Sequence, residues 1–471
     1  MKYEAIIGLE LHIEMKTNSK MFSSAPVGFG GEPNSRVAPL DMAFPGAMPL
    51  VNKQAVINGI RLANVLHMTI DHEVWFDRKN YFYSDLAKGY QLTQFYRPLG
   101  TNGYIELDKD KRVSIEKLIL EEDTCKQIHY DNYSALDYNR SGIPLIELVS
   151  KPELSSGEDA MRYVEKIRSM VMFLNISNGK MEEGSLRCDV NISIREKGSD
   201  ILGAKVEIKN LNTLANIKKA IEYEVDRQIK LVSKGESIIQ ETRRFDEHKN
   251  QTINMRLKTD SIDYKYFVDP TVLPIVLKNE FIQEAIDTSP ELKEERFNRY
   301  KKLGLSDYDA SLLLNDKEVS DYFDEVIKLG ASPKLSANWI NVDVQTILKK
   351  NNYDIDEFSI RPDRLSSLIK LIEDKTINNK QAREIFFNML KCSKGPKELI
   401  SGNDNSRVIS ECEIKQLAIE ILLKNPQLSS DFHGGKTRVV SYIVGQIMKM
   451  TDGKVDPSVV NVIVYEELLR R

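Results

Sequence analysis

Residues 186–195, LRCDVNISIR, alternate without a break. Leu186, Cys188, Val190, Ile192 and Ile194 fall on one side of an extended chain, and Arg187, Asp189, Asn191, Ser193 and Arg195 on the other. Side chains alternate with period two only in a strand, so this stretch is a strand with one apolar face. The amino-terminal stretch repeats the pattern. Ala5, Ile7, Leu9, Leu11, Ile13 and Met15 share one face; Glu4, Gly8, Glu10, His12, Glu14 and Lys16 share the other, with Ile6 the exception. The polar faces are either wet or the wall of a charged site. A third run, GAKVEIKNL at 203–211, places Lys205, Glu207 and Lys209 on its polar face. If the KGSD before it belongs to a hairpin loop, Arg187, Asp189, Asn191, Lys205, Glu207 and Lys209 look to the same side.

The surrounding segments have helical spacing. SSGEDAMRYVEKIRSMVMFL opens with a capping box, Ser155 to Glu158, and continues through Met161, Val164, Ile167, Val171 and Leu174. TLANIKKAIEYEVDRQIKLVSKG is a helix with Thr213 as N-cap and Gly235 as its stop. Residues 26–50, rich in Gly and Pro, read as an ordered loop. Ser289-Pro290 is a cap followed by Pro at the first helical position, and beyond it every periodic stretch is helical. For 471 residues, at ~150 per domain, this predicts a mixed domain over 1–289, a helical domain over 290–400 and a small helical tail over 401–471. The Gly-, Ser- and Asn-rich segment 393–410 marks the second boundary.

Bulk properties exclude several classes. No run approaches the ~18 apolar residues of a membrane helix. The amino terminus interrupts its apolar stretch with charge, unlike a secretory signal. Cys125, Cys188, Cys392 and Cys412 show no C-x-x-C spacing, so neither a disulfide framework nor a cysteine zinc site is indicated, and a cytoplasmic protein is expected. Net charge is −4 and the pI near 6.0, so a nucleic-acid partner must be met by a local patch. Arg361–Lys397 is such a patch, with nine basic against four acidic residues, a net of +5.

The acids suggest chemistry. Glu10 and His12 project in parallel from one strand face. ILEEDTCK packs Glu121, Glu122 and Asp123 at the end of an apolar stretch, and Glu147 stands alone among Ile, Leu and Val in IPLIELVSKP. A lone buried carboxylate is costly unless a cation or hydrogen bonds compensate it. With Glu182, Glu183 and Asp189, these groups offer hard oxygen ligands and one imidazole, a set that suits Mg²⁺ or Mn²⁺. Flanking Lys and Arg suit nucleotide phosphates. A hydrolytic metal site or a plain binding protein fits nearly as well. HGGKT at 433–437 is no Walker loop, because Ser430 stands where the motif needs Gly. Neither an amidase Gly/Ser signature nor a G-x-S-x-G elbow occurs.

IGLELHIEMKTNSKMF, FDRKNYFYSD, GIPLIELVSKPEL, KMEEGSLRCDVNIS, EIKNLN, QETRRFD, YDASLLLNDKEVSDYF and VGQIMKMTDGKVDPSVVN occur in this order along nearly the whole chain. In these motifs the sequence resembles the GatB family, the B subunits of aspartyl/glutamyl-tRNA amidotransferases. The resemblance implies an α+β fold: a cradle-shaped catalytic domain akin to glutamine synthetase, then a helical domain and a small tail. It implies ATP- and Mg²⁺-dependent phosphorylation of the side-chain carboxylate of Glu-tRNA(Gln) or Asp-tRNA(Asn), then amidation. Ammonia would come through a tunnel from the amidase (glutaminase) partner of the complex, and a small third partner would bridge the two. Glu10, His12, Lys79, Glu122, Glu183 and Asp189 are then the expected catalytic groups, and Glu10, His12, Glu122, Glu147 and Asp189 the metal ligands. Ser185, Arg187, Lys205, Glu207 and Lys209 are expected around the nucleotide. Arg361–Lys397 and the tail are the expected tRNA grip. Many members carry paired zinc-binding cysteines in the first loop; Ser23, Ala25, Ala38 and Asp41 stand there, so no zinc is expected. A non-catalytic tRNA scaffold and a stand-alone ligase for a small acid are the competing readings.

Overall fold

The amino-terminal alternation is realised as strand β1 (Tyr3–Glu14), the middle of a nine-stranded sheet. The other strands are β2 (Thr69–Ile70), β3 (Gly100–Asp108), β4 (Lys111–Glu122), β5 (Pro144–Ser150), β6 (Leu186–Glu196), β7 (Val206–Lys209), β8 (Glu241–Asp246) and β9 (Gln251–Leu257). Their order is β9-β8-β7-β6-β1-β5-β4-β3-β2. Neighbours run antiparallel except β7 and β8, which are parallel. This is a computed structural model, and it describes residues 2–257, 263–401, 411–451, 455 and 457–470. The chain divides into two units, Met1–Lys293 and Glu294–Arg471.

Helices cover one face of the sheet. Ile7, Leu9, Leu11 and Ile13 of β1 are at most 1% exposed and share one apolar cluster with Ile60, Val164, Ile167, Ile217 and Ile221. These come from α1 (Lys53–Val65), α2 (Gly157–Phe173) and α3 (Leu214–Ser233). Each such aliphatic side chain contributes about 1.5–3 kcal/mol by leaving water. The cap of α2 is Ser156, not Ser155: its hydroxyl accepts from Asp159 N at 3.1 Å and donates to the Asp159 carboxylate at 2.6 Å. Gly157 follows because a Cβ there would lie 2.8 Å from the Lys218 carbonyl, where α2 starts against α3. Thr213 caps α3 as expected.

The opposite face carries the polar residues. Strand Asp77–Asn80 pairs with Tyr90–Thr93 and Phe267–Val268 in a separate three-stranded sheet that supplies Lys79. Among its described residues the second unit forms helices joined by short turns and no strand. Its last four helices, Glu411–Lys424, Gln427–His433, Arg438–Met450 and Pro457–Leu469, enclose a cluster that includes Ile414, Ala418, Ile443, Ile447, Val464 and Leu468. Most of the expected boundary segment, 402–410, lies outside the described residues. Among the described helices, none is long and apolar enough to cross a membrane.

Candidate active site

Strand register assembles the site. His12 pairs with Glu147 on β5 and with Arg187 on β6, and Glu10 pairs with Asp189. Opposed residues in a sheet share a face, so five groups on three strands far apart in sequence become neighbours. His12 Nε2 lies 3.6 Å from Glu10 Oε1, 3.7 Å from Glu121 Oε1 and 3.7 Å from Glu147 Oε2. Two overlapping sets, Glu10–His12–Asp189 and His12–Glu121–Glu147, each place one ligand atom per residue within 4.8 Å of the others. Lys209 Nζ donates to Asp189 Oδ2 at 2.6 Å and lies 3.1 Å from Glu207 Oε1, so a cation closes the β7 side. Lys79 belongs to the same electrostatic neighbourhood: Glu121 and Glu147 help hold its ammonium charged against the cost of burial.

A second group adjoins the first. Asp123 accepts from Arg187 Nη2 at 2.8 Å and from Arg140 Nη2 at 3.2 Å. Burial works to raise its carboxyl, and the two guanidinium groups outweigh that and hold it low. Glu14 beside it is pushed up to about 7, by burial and then by Asp123.

Protonation follows from crowding. Burial and then Arg187 depress His12 to about 3, leaving a neutral imidazole that suits a metal. Burial, then Glu147 and Asp189, raise Glu10 to about 7. Burial raises Glu121, with Glu147 adding to it, and burial likewise raises Glu147. Such carboxyls hold protons more tightly folded than unfolded. The stability that each contributes is therefore present at low pH and lost as pH rises through its folded-state value, which for Glu10 is about 7. A cation would displace those protons. Mg²⁺ affinity should accordingly increase from about pH 6 to about pH 8 with proton release, measurable by calorimetry in buffers of different ionisation heat. Affinity unchanged over that interval would mean that the carboxylates are already ionised.

Not every expected residue joins the cluster. Glu122 points to the other side of β4, where its carboxylate is ion-paired with Lys88 and accepts from Leu92 N at 3.0 Å. Glu121 takes the place expected for it. The cause is a register shift: Val149 pairs with Lys117 but Ser150 with Ile115, so Glu116 is an extra residue and facing inverts beyond it. Glu183 sits exposed in a turn with Lys180 Nζ at 3.2 Å, and Glu182 is exposed beside it. Ser185 is spent on that turn, accepting from Lys180 N at 2.8 Å and donating to Lys180 O at 2.9 Å. Lys205 is exposed just before β7. Sequence reasoning left out Glu14 as well. It lay on the right face of β1, but nothing local revealed Asp123 across from it.

The first loop is closed without cysteine. Asp41 accepts from Ser23 Oγ at 3.0 Å, from Ala38 N at 2.8 Å and from Lys20 Nζ at 3.1 Å. Lys20 is wholly buried and also donates to the Tyr138 carbonyl at 2.9 Å.

In the basic segment, Arg364 is structural, donating to the carbonyls of Met389, Cys392 and Lys394 at 3.1, 2.8 and 2.6 Å. The other eight cations of that segment are exposed.

A family model described as the GatB/GatE catalytic domain matches residues 5–283, and one described as the GatB domain matches residues 321–468. The chain is 43% identical to the B subunit of the aspartyl/glutamyl-tRNA(Asn/Gln) amidotransferase of Macrococcus caseolyticus over 475 aligned residues, covering all of both chains. It is 42% identical to the protein of the same name from Halalkalibacterium halodurans, again over the whole of both. The corresponding Mycoplasma mycoides protein is 44% identical over 99% of this chain and 98% of its own.

Proposed function

The chain belongs to the GatB family, the B subunits of tRNA-dependent amidotransferases, and from that premise we propose that it activates the side-chain carboxylate of Glu-tRNA(Gln) or Asp-tRNA(Asn) with ATP and then converts it to the amide. The observation that carries this reading is the convergence of Glu10, His12, Glu121, Glu147 and Asp189 on one sheet face, flanked by Lys79 and Lys209.

A free carboxylate is a poor acyl donor, since its leaving group would be oxide. Transfer of the γ-phosphoryl group to a carboxylate oxygen releases ADP and makes phosphate the leaving group. Ammonia then attacks the carbonyl carbon, the acyl–phosphate bond breaks, and amide and phosphate result. The donor set, one neutral imidazole among carboxylate oxygens, fits a hard divalent cation. Mg²⁺ held by His12 with Glu121 and Glu147, or with Glu10 and Asp189, would supply charge neutralisation at the phosphate oxygens. Lys79 and Lys209 would add positive charge, and positioning with charge neutralisation is most of what phosphoryl transfer needs. Arg187, fixed by Asp123, would orient an anionic substrate group. Half-buried walls would keep water from the acyl phosphate.

Ammonia would come from the amidase (glutaminase) partner, with the small third partner completing the complex, in the cytoplasm. A cradle akin to glutamine synthetase is part of the proposal, supported by a sheet with one helical and one carboxylate-bearing face. The exposed cations of Arg361–Lys397 and the tail would grip tRNA phosphates, with strong salt dependence.

The deciding experiment assembles the complex with both partner proteins and supplies Glu-tRNA(Gln) and Asp-tRNA(Asn) in parallel. Amide and inorganic phosphate should appear in equal amounts, and only with charged tRNA present. Amide formation with no ATP cleavage would overturn the activation step.

A further inference from the structure

Aromatic rings crowd the edge of the carboxylate cluster. Phe95 and Tyr266 stack face to face, with centroids 4.0 Å apart and planes 12° from parallel. Tyr96 meets Phe95 edge-on at 5.1 Å, and its hydroxyl donates to the Tyr266 carbonyl at 3.1 Å. Tyr264 lies edge-on to Tyr266 at 6.0 Å, and Lys79 Nζ sits 5.0 Å from the Tyr264 ring centre. Burial raises the Tyr266 phenol against the pull of Lys79, and Glu147 and Glu121 are near enough to add to the rise. The rings therefore run from the charged site outward.

This is not a core. Phe95 and Tyr96 are 48% and 56% exposed. Contiguous exposed aromatic surface beside a polar site marks binding. The surface is also held in place. Asp77, wholly buried, accepts from Phe95 N at 2.7 Å and Tyr96 N at 3.0 Å, and Asn80 N donates to the Tyr264 carbonyl at 2.9 Å. The stack thus stands on the small sheet that also positions Lys79.

We propose that Phe95, Tyr96 and Tyr266 form a stacking platform for an adenine ring, which directs the reactive end of the bound nucleoside past Lys79 into the carboxylate cluster. The inference rests on the amidotransferase reading, in which adenine has two sources, ATP and the 3′-terminal adenosine of the charged tRNA. A flat aromatic face with a cation alongside recognises a nucleobase through stacking and cation–π attraction, and each base so held is substantially weakened by loss of the ring.

The test uses the complete complex with Phe95→Ala, Tyr96→Ala and Phe95→Trp. The probes are MgATP, inorganic tripolyphosphate with Mg²⁺, and charged tRNA. Both alanine variants should raise the half-saturating concentration of one adenine-bearing substrate by about tenfold to a hundredfold with little change in kcat. Phe95→Trp, which keeps a stacking ring, should stay near wild type. Tripolyphosphate has no base and should bind wild type and Phe95→Ala equally. A shift for MgATP alone assigns the platform to the nucleotide, and one for tRNA alone assigns it to the terminal adenosine. Unchanged constants for both substrates in an active complex would overturn the platform and leave the amidotransferase reading standing. Variants that fail to assemble with the partner proteins would also overturn it, placing the rings in a protein interface. A wild-type complex that neither binds MgATP nor acts on tRNA would instead overturn the amidotransferase reading.

Discussion

Glu121→Gln should reduce tRNA-dependent ATP cleavage and amidation by about a hundredfold to a thousandfold and raise the Mg²⁺ concentration needed for half activity. Glu121 is 2% exposed and lies 3.7 Å from His12 and on the same strand face. The amide keeps the volume and removes the charge, so folding should survive while the cation loses a ligand. A ligand that supplies about 3–4 kcal/mol of transition-state charge stabilisation accounts for a loss of that size. Glu122→Gln provides the contrast. Its carboxylate pairs with Lys88 on the opposite side of the strand. Its removal should lower the melting temperature by a few degrees, about 1–2 kcal/mol, and leave the half-saturating Mg²⁺ within about twofold. Equal Mg²⁺ dependence in the two variants would show that Glu121 is no ligand.

Asp41→Ala should cost about 3–5 kcal/mol of stability, measured by denaturant unfolding of the amino-terminal unit. Lys20 is 0% exposed, and its ammonium has Asp41 Oδ2 at 3.1 Å as its ion-pair partner. Removing the carboxylate leaves a buried charge with the Tyr138 carbonyl, and takes away the acceptor of Ser23 Oγ and Ala38 N. That is a large share of the ~5–15 kcal/mol net stability of a typical domain. Replacing both partners, with Lys20→Met added, should cost less than Asp41→Ala alone, because no uncompensated charge remains. A loss below about 1 kcal/mol for Asp41→Ala would mean that Lys20 reaches water.

Alternation was enough to identify β1 and β6 and to put Glu10, His12, Arg187 and Asp189 on polar faces, because a strand leaves a side chain only two directions. The 203–211 run paired with β6 as the expected neighbour, Asn191 opposite Glu207. Local chemistry also located the start of α3, since a threonine cap needs only the backbone of its own first turn. The α2 cap was misplaced by one because adjacent serines both satisfy the local rule.

By itself, then, the sequence determined which residues are extended, which strand faces are charged and, through its ordered motifs, the family. Tertiary structure alone decided which charges meet. Leu118, Ile119 and Leu120 are all apolar, so nothing in that run reveals which side Glu121 and Glu122 take. The answer lies in the pairing of β4 with β5, where one extra residue reverses every side chain beyond it. Asp123 with Glu14, and Phe95 with Tyr266, likewise join segments more than a hundred residues apart. Their proximity is set by register and by the packing of the small sheet, long-range interactions that no local pattern encodes.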